Sequence, residues 1–131
     1  MRRMDAQSLS TRFGNAISMK KVGLKDVEGT SPEGTKGVVF RQLLAKNVDA
    51  PNFYLRLFDV EPGGNTPLHA HDWEHEVFVV SGRGKIVLAD SEHTLEEGDA
   101  VLVQPNETHQ FVNDSESLMR MICVIPRPSG G

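Results

Sequence analysis

From Gly37 onward the chain breaks into seven short runs rich in β-branched and aromatic residues, each closed by turn formers, and this pattern leaves little choice of fold. The runs are Val38 to Leu44, Phe53 to Val60, Glu76 to Val80, Lys85 to Ala89, Ala100 to Gln104, His109 to Val112 and Leu118 to Ile125. Between them stand Glu61-Pro62-Gly63-Gly64-Asn65, Ser81-Gly82-Arg83-Gly84, Glu96-Glu97-Gly98-Asp99, Pro105-Asn106-Glu107 and Asn113-Asp114-Ser115, all rich in residues that turn a chain cheaply. The polar stretch Asp90-Ser91-Glu92-His93-Thr94 reads as a hairpin tip, with His93 a solvated turn residue. No segment reads as a convincing helix. Short strands at this spacing predict an all-β sandwich or barrel, and a jelly roll is a common closure for such a set.

Residues 1–36 differ in texture. They carry Gly14, Gly23, Gly29, Pro32, Gly34 and many Ser and Thr, too little apolar surface for a core of their own. This N-terminal arm is expected to add an edge strand, to exchange with a partner molecule or to stay unpaired, while 37–131 form the folded domain. Phe53 to Phe58 and Leu118 to Ile122 are apolar on both strand faces, so the outer face also needs a cover. A homodimer is the simplest cover, and the arm folding over that face is the alternative.

A chain of 131 residues suits one domain that needs no disulfide, in keeping with a lone Cys123. Its 14 Lys and Arg against 18 Asp and Glu leave no basic stripe for a phosphate backbone, which disfavours nucleic acid as a partner. No apolar run approaches the ~20 residues that span a bilayer, and Met1-Arg2-Arg3-Met4-Asp5 is not followed by a secretory apolar region. A reducing cytoplasm is the expected location.

The chemistry concentrates in His69-Ala70-His71-Asp72-Trp73-Glu74-His75, three of the five histidines within seven residues. In an extended segment His69 and His71 point to one face, because strand side chains repeat every two residues. His75 returns to that face by strand parity or across a bend at Asp72-Trp73. Neutral imidazoles suit the first-row divalent ions Mn, Fe, Co, Ni, Cu and Zn. Surface histidines on a loop are the bland alternative.

The spacing around these residues resembles the cupin family over residues 37–126. Its first motif runs Gly, five residues, His-x-His, three or four residues, Glu, six residues, Gly; here stand Gly63, His69, His71, position 75 and Gly82. The departure is His75 at the glutamate position, with Glu76 next to it. The second motif runs Gly, five residues, Pro-x-Gly, two residues, His, three residues, Asn, and Gly98, Pro105, His109 and Asn113 follow it in outline, with Glu107 in place of a glycine. The closer likeness is to small monocupins that hold manganese with four histidines. That resemblance implies a double-stranded β-helix, a jelly-roll cupin barrel, with metal ligands His69, His71, His75 and His109. Glu76 replaces His75 if the strand slips by one, and the two registers bury opposite sets, Val77 and Val79 or Phe78 and Val80. Manganese leads among the ions the resemblance implies, with iron, copper, nickel or zinc as alternatives.

Around this set, Arg56 stands in an otherwise apolar strand, where a charge needs an anion or a route to water; it orients a substrate carboxylate, snorkels to a rim, or pairs with Glu74. Trp73 walls the pocket mouth or packs at the rim. Cys123 shares a face with Met121 and Ile125 and is a small core residue or a cavity residue open to oxidation. Phe111, Met119, Met121 and Val103 are candidates for an apolar lining. Glu96, Glu97 and Glu107 read as surface charges, Glu107 also as a hydrogen-bond partner for a ligand. The expected activity is that of a metal-dependent oxidoreductase, dioxygenase-like, on a small-molecule substrate or anion. A metal-dependent isomerase or lyase and a ligand-binding or sensing module are the alternatives.

Overall fold

The computed structural model describes residues 18–129, and among them eight strands pair antiparallel in one curled sheet without an α-helix. They are β1 (Lys36–Leu44), β2 (Phe53–Asn65), β3 (His75–Ser81), β4 (Arg83–Leu88), β5 (Glu92–Glu96), β6 (Ala100–Val103), β7 (His109–Val112) and β8 (Met119–Pro126). Their order is β5-β4-β7-β2-β8-β3-β6, with β1 added on β2. Apart from the consecutive pairs β1–β2 and β4–β5, neighbours in space are distant in sequence, as a jelly roll requires.

The long strand β2 makes the sheet curl. Its first part pairs with β8 from Phe53↔Pro126 to Val60↔Met119, and its end passes to β7 at Asn65↔Val112. Glu61 to Asn65, expected as a turn, therefore belongs to the strand. The turn chemistry is spent on a bulge: pairing with β1 jumps from Val38↔Val60 to Lys36↔Asn65. Gly64 is needed there because a Cβ would meet the carbonyls of Lys36 and Glu61 at 2.5 and 2.9 Å.

Alternation on each strand selects the core. Val77 and Val79 of β3, Met119, Met121, Cys123 and Ile125 of β8, and Val38 and Val60 from β1 and β2 are buried inside. Each side chain of this kind stabilises the fold by roughly 1.5–3 kcal/mol relative to exposure. Glu76, Phe78 and Val80 take the outer face of β3. The register with His75, Val77 and Val79 inward is the one formed.

One strand was not legible as such. His93 lies within β5, paired with Ile86, and is not a turn residue; it remains exposed, with its ring 3.2 Å from Ser91 Oγ. Only Leu95 of β5 is buried. A polar strand at the sheet edge carries no alternation to read, and its charges discourage pairing with another chain. Residues 1–17 of the expected arm lie outside the described residues. The rest of it meets the sheet at Thr30 and Phe40, which exchange backbone hydrogen bonds of 2.9 and 2.7 Å, and at Ser31, whose hydroxyl donates to the Val38 carbonyl, before Lys36 begins β1.

Candidate metal centre

Two chain segments bring the imidazoles together. His69 and His109 exchange backbone hydrogen bonds of 3.1 and 2.9 Å, and Asn106 N–H donates to the His71 carbonyl at 2.6 Å. The loop after β2 is thereby laid along the start of β7, and His75 opens β3 opposite. Asn106 sits at φ 67°, a left-handed turn position that asparagine tolerates.

The resulting ring cluster is tight. His69 and His71 lie on one side as their spacing predicts, with centroids 4.9 Å apart, and His109 is 4.9 Å from His69 and 5.1 Å from both His71 and His75. One ligand atom from each of His69, His71 and His109 falls within 4.8 Å of the others. His75 joins through His71, Nε2 to Nε2 at 2.6 Å, with the two rings nearly parallel. Glu76 is exposed on the opposite strand face.

Backbone acceptors outside the cluster fix which ring nitrogen points in. His71 Nδ1–H donates to the Trp73 carbonyl at 3.2 Å and His109 Nδ1–H to the Glu107 carbonyl at 2.8 Å, leaving the Nε2 lone pairs free. It is the backbone of Glu107 that serves here; its carboxylate accepts from Gln104 N–H at 3.1 Å. His75 Nδ1 meets Cys123 Sγ at 3.3 Å. Burial pushes His69 and His71 below the ordinary histidine value, and His75 down to about 3, assisted by the imidazoles and Arg56 around it. Neutral imidazoles are the form that binds a metal.

The donor set fits a divalent ion. Imidazole nitrogens bound at ~2.1 Å stand ~3 Å apart when adjacent and ~4.2 Å when opposite. The ligand atoms of His69, His71 and His109 all lie within 4.8 Å of one another, close enough to meet one ion, while the His71–His75 pair at 2.6 Å is closer than two adjacent ligands stand. Two inward lone pairs 2.6 Å apart repel unless a proton or a cation lies between them.

His69, His71 and His75 of the cluster line a cavity of about 140 Å³ whose other walls are mostly apolar. Phe58, Phe111, Met121, Val77 and Trp73 face it, with Trp73 40% exposed at the mouth and its ring stacked 4.4 Å from His71. Met119 and Val103 do not reach the cavity and belong to the core. Cys123 lines the cavity and is 2% exposed, and burial raises its thiol pKa. Arg56 lines it too, its Nη2 3.0 Å from Cys123 Sγ and its guanidinium carbon 5.5 Å from the rings of Phe40 and Phe58. No pairing with Glu74 is formed; among the described residues no carboxylate lies within 4.0 Å of Arg56. Sequence reasoning missed Phe58, which the parity of Arg56 puts on the same face two residues on. Phe40 arrives only through strand pairing, Phe40↔Phe58, which no local pattern announces.

A jelly-roll barrel with imidazoles from two separate segments of the chain converging beside an apolar cavity defines a β-barrel protein with a candidate metal site. Residues 56–125 match the model of the cupin domain, and the chain belongs to the cupin family. Among solved structures it is similar to the polyketide cyclase RemF of Streptomyces resistomycificus, 32% identical over 87% of this chain and 83% of that one, with a TM-score of 0.78. A predicted oxalate decarboxylase of Thermotoga maritima shares the fold at 21% identity and a TM-score of 0.73, over 83% of this chain and all of that one. A curated relative, 1-methylthio-D-xylulose 5-phosphate methylsulfurylase of Rhodospirillum rubrum, is 28% identical over 71 residues, 54% of this chain. The matched region spans 46% of that relative, about half its length.

Proposed function

We propose that this chain is a metal-dependent enzyme acting on a small oxygen-bearing organic substrate, with His69, His71, His75 and His109 holding the ion. The observation that carries the reading is the imidazole cluster, tautomers set by backbone carbonyls, beside an apolar cavity. A divalent ion bound there supplies Lewis acidity to a carbonyl or enol oxygen. The protein's own contribution is to seat the substrate between Phe58, Phe111 and Trp73 and to exclude water from the reacting atoms. A ring-closing, isomerising or carbon–carbon cleaving reaction without net oxidation follows best, supported by the 32% identity to a polyketide cyclase.

The second reading is an oxidoreductase, dioxygenase-like, and the all-imidazole ligand set favours it. Four neutral imidazoles would leave a bound ion its full charge, which suits binding of an oxygen-bearing ligand. Manganese is the ion we place first, with iron, copper, nickel and zinc also compatible with nitrogen donors. The protein acts in a reducing cytoplasm, where its single thiol stays unpaired, and as a homodimer through the outer sheet face.

Metal analysis of untagged protein tests the reading. We expect near one equivalent per chain, lost when His69, His71 and His109 are all replaced by alanine. Equal metal in both proteins, or none in either, defeats the assignment. Oxygen uptake during turnover of small phenolic and carboxylate compounds separates the two chemistries.

A further inference from the structure

We propose that Arg56 is the anion-binding group of this cavity, and that the substrate therefore carries a carboxylate or enolate oxygen on a body about the size of one six-membered ring. The inference deepens the proposed function and rests on it only for the substrate's contact with the imidazoles.

Arg56 differs from the other paired arginines of the chain. Arg41 and Arg120 share Asp59, and Arg127 meets Asp49. Arg56 has instead a thiol and the faces of two phenylalanine rings, none of which carries a negative charge. Its Nε–H is buried and has no acceptor. A guanidinium snorkelling to the rim would offer that donor to water. Among the described residues no aspartate or glutamate lines the cavity, so nothing there balances the guanidinium, and a bound divalent ion would add to the imbalance. The missing element is an anion, and the planar fork of an arginine matches a carboxylate or an enolate oxygen.

The walls limit what carries that anion. A dry cavity of about 150 Å³ takes up benzene, and this one measures about 140 Å³. Phe58, Phe111 and Trp73 offer ring faces and edges to a flat apolar body. The anion end sits at Arg56.

Benzoate and benzamide share shape and differ in charge, so they isolate the effect. Calorimetric titration of the metal-loaded wild type is expected to show benzoate bound about tenfold or more tightly than benzamide. Arg56→Gln should reduce that preference severalfold by weakening benzoate alone, and Arg56→Lys should keep more of it. No preference in the wild type overturns the proposal whether or not a variant folds, and so does a preference undiminished in Arg56→Gln. Metal content of the same samples keeps the two readings apart. Metal bound without an anion preference sinks this inference alone; an Arg56-dependent preference in protein that never holds metal sinks the proposed function alone.

Discussion

Burial moves the titration of His75 far from the ordinary histidine range. Its pKa of about 3 in the folded protein, against 6.5 for an unperturbed histidine, means that the unfolded chain binds a proton the native state refuses. Stability is therefore complete above pH 6.5 and is lost as pH falls toward 3, with a slope of at most about 1.4 kcal/mol per unit from this one group. His69 and His71, shifted the same way, add to the slope just below 6.5. Urea unfolding of metal-free protein between pH 7 and 5 should show the loss, and His75→Gln should flatten it; an equal slope in the variant would assign the effect elsewhere. Cys123 gives a second residue-level test. Buried and with its thiol pKa raised, it should react with a thiol reagent far more slowly in the native protein than in denaturant. Native reaction at the denatured rate would show that the cavity opens readily.

At the scale of elements, Asn113 ties the sheet together. Its Nδ2 donates to the carbonyls of Val60 and Ser117 at 2.8 Å each, and its Oδ1 accepts from Ser115 N–H at 2.9 Å and Ser115 O–H at 2.7 Å. The side chain is fully buried, so Asn113→Ala strands two carbonyls and should cost about 2–4 kcal/mol by denaturant unfolding. A cost near zero would mean that water replaces the amide. Gly82 serves the turn from β3 to β4: at φ +81° an added Cβ would collide with the Leu118 carbonyl and lie 2.9 Å from Met119 Cα. Gly82→Ala should therefore lose about 2 kcal/mol or more, measured the same way. Both residues stand in the spaced pattern around the histidines, and their role there is architectural. The sequence was readable wherever a strand has one face inside, as at His75-x-Val77-x-Val79, because parity links the ligand to the core. It was unreadable at β5, whose single buried residue makes no pattern, and at Glu61 to Asn65, where turn formers shape a bulge inside a continuous strand. Cross-strand neighbours such as Phe40 beside Arg56 depend on register, which local composition does not encode.

At the scale of the molecule, curling places the imidazoles and Arg56 inside and leaves the opposite face of the sheet to be explained. Pairing aligns Leu57, Ile122, Phe78 and Ala100 in one row across β2, β8, β3 and β6, and Leu55, Val124, Glu76 and Leu102 in the next. Phe78 is 46% and Leu102 49% exposed, although neither has a part in the cavity. Large apolar side chains clustered on a strand surface mark an interface more often than a solvent face. A second copy fits such a face, because two like sheets bury the same rows against each other about a two-fold axis. Sedimentation of the wild type should give a dimer at micromolar concentration. Phe78→Glu combined with Leu102→Glu places two charges in the rows and should shift it to a monomer that stays folded, losing only the stability that association adds, since both side chains already meet water within one chain. A wild type that sediments as a monomer would remove the dimer and leave the outer rows open to a different cover. A double variant that stays dimeric would move the interface to another surface.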